Sequence, residues 1–81
     1  MNIQQAQQEV MRILTETLKA KGQAPDNLRE ETALLGGTLA IDSLDLAGLV
    51  VNLTEATGKD PFANGFIAFR TIGELARLYA D

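Results

Sequence analysis

Ala40-Ile41-Asp42-Ser43-Leu44-Asp45-Leu46 opens the segment around which the rest of the chain arranges itself. Downstream, apolar residues run almost without a break. Leu44, Ala47, Val51 and Leu53 are expected on the buried side of a helix, with Leu46, Leu49 and Val50 widening that side. A helix that is apolar round much of its circumference is expected to be the most buried element of a small all-α fold. Asp42 suits the helix start, because its carboxylate accepts from N–H groups that the first turn leaves without partners. Asp45, three residues on, has the spacing to reach back in a capping box. Such a cap is worth about 1 kcal/mol. Thr57-Gly58 closes the segment.

Toward the N-terminus, Ile3, Ala6, Val10, Ile13, Leu14 and Leu18 recur at three- and four-residue steps and predict an amphipathic helix. Gly22 is placed to cap its end and Pro25 to break it. Residues 22–41 then form a long connection anchored by Leu28, Ala33, Leu34, Leu35, Leu39 and Ile41, with Gly36-Gly37 in its middle. Those anchors predict a connection that folds back over the core. Toward the C-terminus, Pro61 and Gly65 punctuate residues 58–70, which hold three of the four aromatic residues. Phe62, Phe66, Ile67 and Phe69 are expected to pack on the core and to hold a short helix. Thr71 and Glu74 match a capping box, and Ile72, Leu75, Ala76 and Tyr79 make the inner stripe of a last helix. The expected architecture is a single all-α domain over residues 1–81. It is a small four-helix bundle of three main helices plus a short third helix, with a long loop between helices 1 and 2.

Composition narrows the chemistry. The 81 residues include no Cys and no His. A thiolate nucleophile, a disulfide framework, a Ser-His-Asp triad and an imidazole metal site are therefore excluded. The net charge is −4. Acidity disfavours nucleic-acid backbones and anionic membranes and favours partners with basic patches. The acidity is uneven: residues 1–40 carry five acids against four bases, residues 41–81 six against three. The first residues lack the basic and apolar regions of a signal peptide, no apolar run reaches the length of a membrane span, and the expected compartment is the cytoplasm.

Ser43 stands where chemistry is available. A helix start combines unpaired N–H groups with the positive end of the macrodipole, a setting that holds a phosphate well. Ser is itself a common cap, but Asp42 already fills that place and leaves the Ser43 hydroxyl to face outward. Asp42 and Asp45 alone are too few for a metal cage, though one carboxylate is enough to help hold Mg²⁺ beside substrate phosphates.

Asp42-Ser43-Leu44 at the start of the second helix resembles the acyl carrier protein family. Leu39 fits the family's apolar position four before the serine. Arg70-Thr71-Ile72-Gly73-Glu74, about 28 residues after Ser43, is similar to the family's opening of the last helix. The resemblance spans essentially the whole chain. It implies that Ser43 receives 4′-phosphopantetheine from coenzyme A through a phosphopantetheinyl transferase, with Asp42 and Leu44 flanking the attachment. It implies acyl cargo held as a thioester, loaded by a ligase or transferase and passed to downstream synthase enzymes. It also implies that the chain is a carrier and not an enzyme, and acts as a monomer. Asp45, Leu46 and Glu55 are the docking residues expected for basic partners, in weak, salt-sensitive contacts. Leu46, Val50, Leu53, Phe66 and Phe69 are the expected lining of a slot for the acyl chain. Ala40 replaces the family's usual Gly, Gly37-Thr38 stands where acidic residues are usual, and Gly48, Asn52 and Thr54 stand where the helix usually exposes Glu. These departures point to a specialised carrier serving one pathway. Two alternatives stand beside it: an aminoacyl or peptidyl carrier loaded by an adenylating ligase, and an unmodified helical interaction module.

Overall fold

Three helices form where the periodicity and caps place them: α1 over Ile3–Ala20, α2 over Ser43–Thr57 and α3 over Ile72–Tyr79. The computed structural model of the chain describes residues 1–23, 28–34 and 41–80. Pro25, Leu35, Gly36, Gly37, Thr38, Leu39 and Ala40, which enter the reading of the connection and of the family motif, lie outside the described residues.

Each helix begins on a side chain that takes up its spare N–H groups. For α1 this is a capping box, formed by two polar residues outside the apolar stripe. Asn2 accepts from the Gln5 N–H at 2.9 Å, and the Gln5 side chain accepts from the Asn2 N–H at 3.0 Å. At the other end of α1 the N–H of Gly22 donates to the Lys19 carbonyl and that of Gln23 to the Leu18 carbonyl, with Gly22 at φ +78°. This paired closure needs a left-handed residue, which is why glycine stands there. In α3 the Thr71 hydroxyl accepts from the Glu74 N–H at 3.1 Å. The return bond of that box goes one residue upstream of the cap, from the Arg70 N–H to the Glu74 carboxylate at 3.3 Å.

The core is built mainly by α1 and α3. Ala6, Val10, Ile13, Leu14 and Leu18 are buried on α1, and Ile72, Leu75, Ala76 and Tyr79 on α3, as their stripes predict. Ile3, in the first turn of α1, is exposed. α1 packs against both other helices. Tyr79 ties α3 to α2: its hydroxyl donates to the Val50 carbonyl at 3.2 Å and lies 3.1 Å from the Thr54 hydroxyl. Burial raises the Tyr79 hydroxyl above its ordinary pKa.

α2 is not the most buried helix. Only Leu49 and Leu53 are fully buried on it, whereas Leu44 is 81% exposed, Val51 54% exposed and Ala47 exposed. Helix geometry gives the reason. At about 100° per residue, Leu44 and Leu53 lie on opposite sides and cannot share one buried face. The inward stripe is Leu46, Leu49, Val50 and Leu53, and among the described residues no further helix stands over the other side.

The connection does fold back. The Leu34 N–H donates to the Arg70 carbonyl at 2.8 Å, the Ile72 N–H to Thr32 at 3.1 Å, and the Gly73 N–H to Glu30 at 2.8 Å. Leu34 is buried beneath this crossing. The short helix expected in residues 58–70 is absent, so the described residues form a three-helix fold and not a four-helix bundle. Two isolated turn bonds stand in its place, from Ala63 to Asp60 and from Gly65 to Phe62, and Gly65 at φ +133° leaves the helical path. Phe62 and Phe69 are half-buried against the core, but Phe66 is 78% exposed and Ile67 is exposed, contrary to expectation. The three rings instead pack on one another, with centroids 5.8 to 6.0 Å apart. On the far side of this segment, the Lys59 ammonium donates to the Ala80 carbonyl at 2.7 Å and closes the end of α3.

Two glycines behave oppositely on substitution. A Cβ on Gly73 would stand 3.0 Å from the Glu30 carbonyl oxygen, and Gly73→Ala should lower unfolding stability by about 1–3 kcal/mol in urea titrations. A Cβ on Gly48 meets nothing within 4 Å, so no described residue uses the space. Gly48→Ala should raise stability by about 1 kcal/mol in the same titration through helix propensity alone.

Candidate functional site

Ser43 is the first residue of α2 and is exposed. The residues around it are held by a complete capping box. Asp42 accepts from the Asp45 N–H at 2.8 Å, and Asp45 accepts from the Asp42 N–H at 3.2 Å. A helix start leaves four N–H groups over, and the box takes those of Asp42 and Asp45. Those of Ser43 and Leu44 are the remaining two, beside the exposed hydroxyl and at the positive end of the helix dipole.

The box is held from α1. The ammonium of Lys21, the residue that ends α1, donates to the same Asp45 oxygen that accepts from Asp42. The hydrogen bond from Lys21 is the main cause that holds the Asp45 carboxyl below its ordinary range, aided by the bonds to Asp42. The same bond to Asp45 raises Lys21, and the charges of Asp45 and Asp42 add to it. Asp45 is thus engaged within the chain, where docking to a basic partner was expected of it. Asp42, Leu44 and Glu55 are exposed, and Glu55 lies three turns along the helix from Ser43.

An apolar groove of about 570 Å³ opens beside Ser43, between the exposed flank of α2 and the aromatic segment. Leu46, Val50, Phe66 and Phe69, four of the five residues expected to line a cargo slot, line it. Leu53 does not, being fully buried in the core. Ala47, Val51 and Phe62 also line it, and among the described lining residues Ser43 brings the only hydroxyl. Sequence reasoning missed Ala47 and Val51 as lining residues. Counting from Ser43 finds them, since positions four and eight residues on share its face. Phe62 is missed because its place depends on stacking against Phe66, which no local spacing records.

The described residues hold no group of three or more His, Cys, Asp or Glu side chains able to hold a metal ion. Among the described residues, no helix is long and apolar enough to cross a membrane. No protein-family model, no curated protein and no solved structure matches the chain.

The Asp45 interactions give stability a defined acid dependence. A carboxyl whose pKa is depressed by folding contributes stability that is present above its unfolded pKa, near 4, and lost as pH falls through the lower folded value. Urea midpoints followed downward from pH 7 should therefore fall below about pH 4. The fall should be smaller for Asp45→Asn, which keeps a side-chain acceptor but does not titrate. An equal fall in both proteins would contradict this assignment.

Proposed function

We propose that the chain is an acyl carrier protein in which Ser43 bears 4′-phosphopantetheine. One observation carries this reading: an exposed serine is the first residue of α2, its capping role is taken by Asp42 and Asp45, and an apolar groove opens beside it. The residues present fit the group. The hydroxyl offers the point of attachment, and the N–H groups of Ser43 and Leu44 suit the oxygens of a phosphodiester. In the transfer, the Ser43 oxygen bonds to the phosphorus that carries pantetheine and the phosphoanhydride of coenzyme A breaks. The nucleotide leaves, and the serine proton passes to the transferase or to solvent. When bound, the arm supplies the thiol that holds an acyl group as a thioester.

The chain's own contribution is presentation and recognition. Leu44, 81% exposed next to the attachment point, offers an apolar contact to a transferase or synthase. Asp42 and Glu55 remain as acidic contacts for basic patches on such partners. The groove accepts apolar cargo: apart from Ser43 the described residues that line it are aliphatic and aromatic. That lining favours an acyl group over an aminoacyl group, whose ammonium would lose hydration there without a partner. A monomer working in the cytoplasm, without nucleic-acid or membrane partners and without catalysis of its own, accords with this role.

The test is a mass measurement. The apo protein is incubated with a promiscuous phosphopantetheinyl transferase, coenzyme A and Mg²⁺. The wild type should gain the mass of one phosphopantetheine and Ser43→Ala none. No gain on the wild type, or an equal gain on both, sinks the carrier reading in favour of an unmodified interaction module.

A further inference from the structure

Ser43 is joined to the body of the fold by more than its own helix. Lys21 ends α1, the helix that packs against both others. Its N–H donates to the Leu18 carbonyl at 3.1 Å, the next two N–H groups close the same turn, and Leu18 is buried in the core. The backbone that carries the Lys21 side chain is therefore fixed. From there the ammonium reaches across 24 positions of sequence to Asp45. It meets the one oxygen of Asp45 that also accepts from the Asp42 N–H. Ser43 and Leu44 lie between the two box residues, so whatever orients the box orients the backbone that carries the hydroxyl.

We infer that Lys21 is a positioning residue for the modification of Ser43: by holding Asp45 in the capping box it sets the first turn of α2 for attack on phosphorus. This rests on the carrier reading. Electrostatics give Lys21 a second contribution. The product phosphodiester adds a negative charge to a turn that already holds Asp42 and Asp45. Like charges at such separations repel, and the Lys21 ammonium, paired with Asp45 and attracted by the charge of Asp42, offsets that repulsion. Lys21 touches Asp45 and is not assigned contact with substrate.

The experiment uses the full chain with the same transferase, coenzyme A and Mg²⁺, varying the carrier concentration at a temperature where melting curves show every variant folded. Lys21→Met should lower kcat about threefold, as fits the loss of the partly exposed pair with Asp45, with KM for the carrier unchanged. Lys21→Arg should restore most of the rate. Lys19→Met removes the same charge two residues away and should behave as wild type, which separates positioning from net charge. Amide NMR shifts should move at Asp42 to Asp45 in Lys21→Met and stay fixed along α3, a readout independent of activity. A Lys21→Met protein with wild-type kcat, an effect on KM alone, or an equal loss in Lys19→Met overturns the inference while leaving the carrier reading intact. A wild type that is not modified at all overturns both.

Discussion

Two aspartates and one lysine hold the first turn of α2, and the geometry of the site follows from them. The Asp42 and Asp45 carboxylates each accept from the other's backbone N–H, and Lys21 joins their box to the end of α1. A helix start is intrinsically short of acceptors, and unheld first turns fray. Here two of the four spare N–H groups are used inside the chain, which stiffens the turn. The other two lie beside an exposed hydroxyl. A serine acting as its own cap would turn its oxygen inward to the N–H groups. Giving that task to its neighbour is what leaves Ser43 available.

The second constraint is a shortage of covering surface. α3 buries its whole stripe and α1 all of its own but Ile3, and the doubled-back connection adds Leu34. Among the described residues, α2 has more apolar side chains than these elements cover. Fully burying a Leu, Val or Phe side chain is worth roughly 1.5–3 kcal/mol, against a total stability of about 5–15 kcal/mol for a domain of ordinary size. Leaving Leu44, Val51 and Phe66 outside thus forgoes an appreciable share of the available stabilisation. Exposed apolar surface of this kind marks interaction or ligand sites. Its position beside Ser43 gives it a use under the proposed function, first as partner contact and then as the groove for cargo.

Much of this was legible in the sequence because it is local. Caps and helix ends are set by residues within a few positions of one another, so Asp42, Thr71, Gly22 and Gly58 announce them. The stripes of α1 and α3 are periodic and point one way. The buried side of α2 was not legible, because a helix apolar on most sides carries little directional signal, and the choice falls to whatever packs against it. The aromatic segment misled for a related reason. Phe content argues for burial, yet three rings that stack on one another satisfy part of that tendency at the surface. The Lys21–Asp45 pair joins residues too far apart in sequence for any short pattern to reveal. The candidate hydroxyl was therefore readable from the chain, and the side chain that steadies its turn was not.

Under the proposed function, the parts that hold the hydroxyl and the parts that line the groove are different residues. Asp42, Asp45 and Lys21 form a polar tie whose strength varies with pH and salt. Leu46, Val50, Val51 and the three Phe side chains form an apolar wall indifferent to both. Separate residue sets allow the wall to change with the cargo while the attachment point keeps its geometry. The absence of Cys and His fits the same division. The reactive thiol would arrive on the arm, and a protein thiolate nearby would compete for the thioester. What the chain itself must supply is a steadily held serine, a surface for partners and a sheltering wall, and these lie along the first three turns or so of α2 and the segment that faces it.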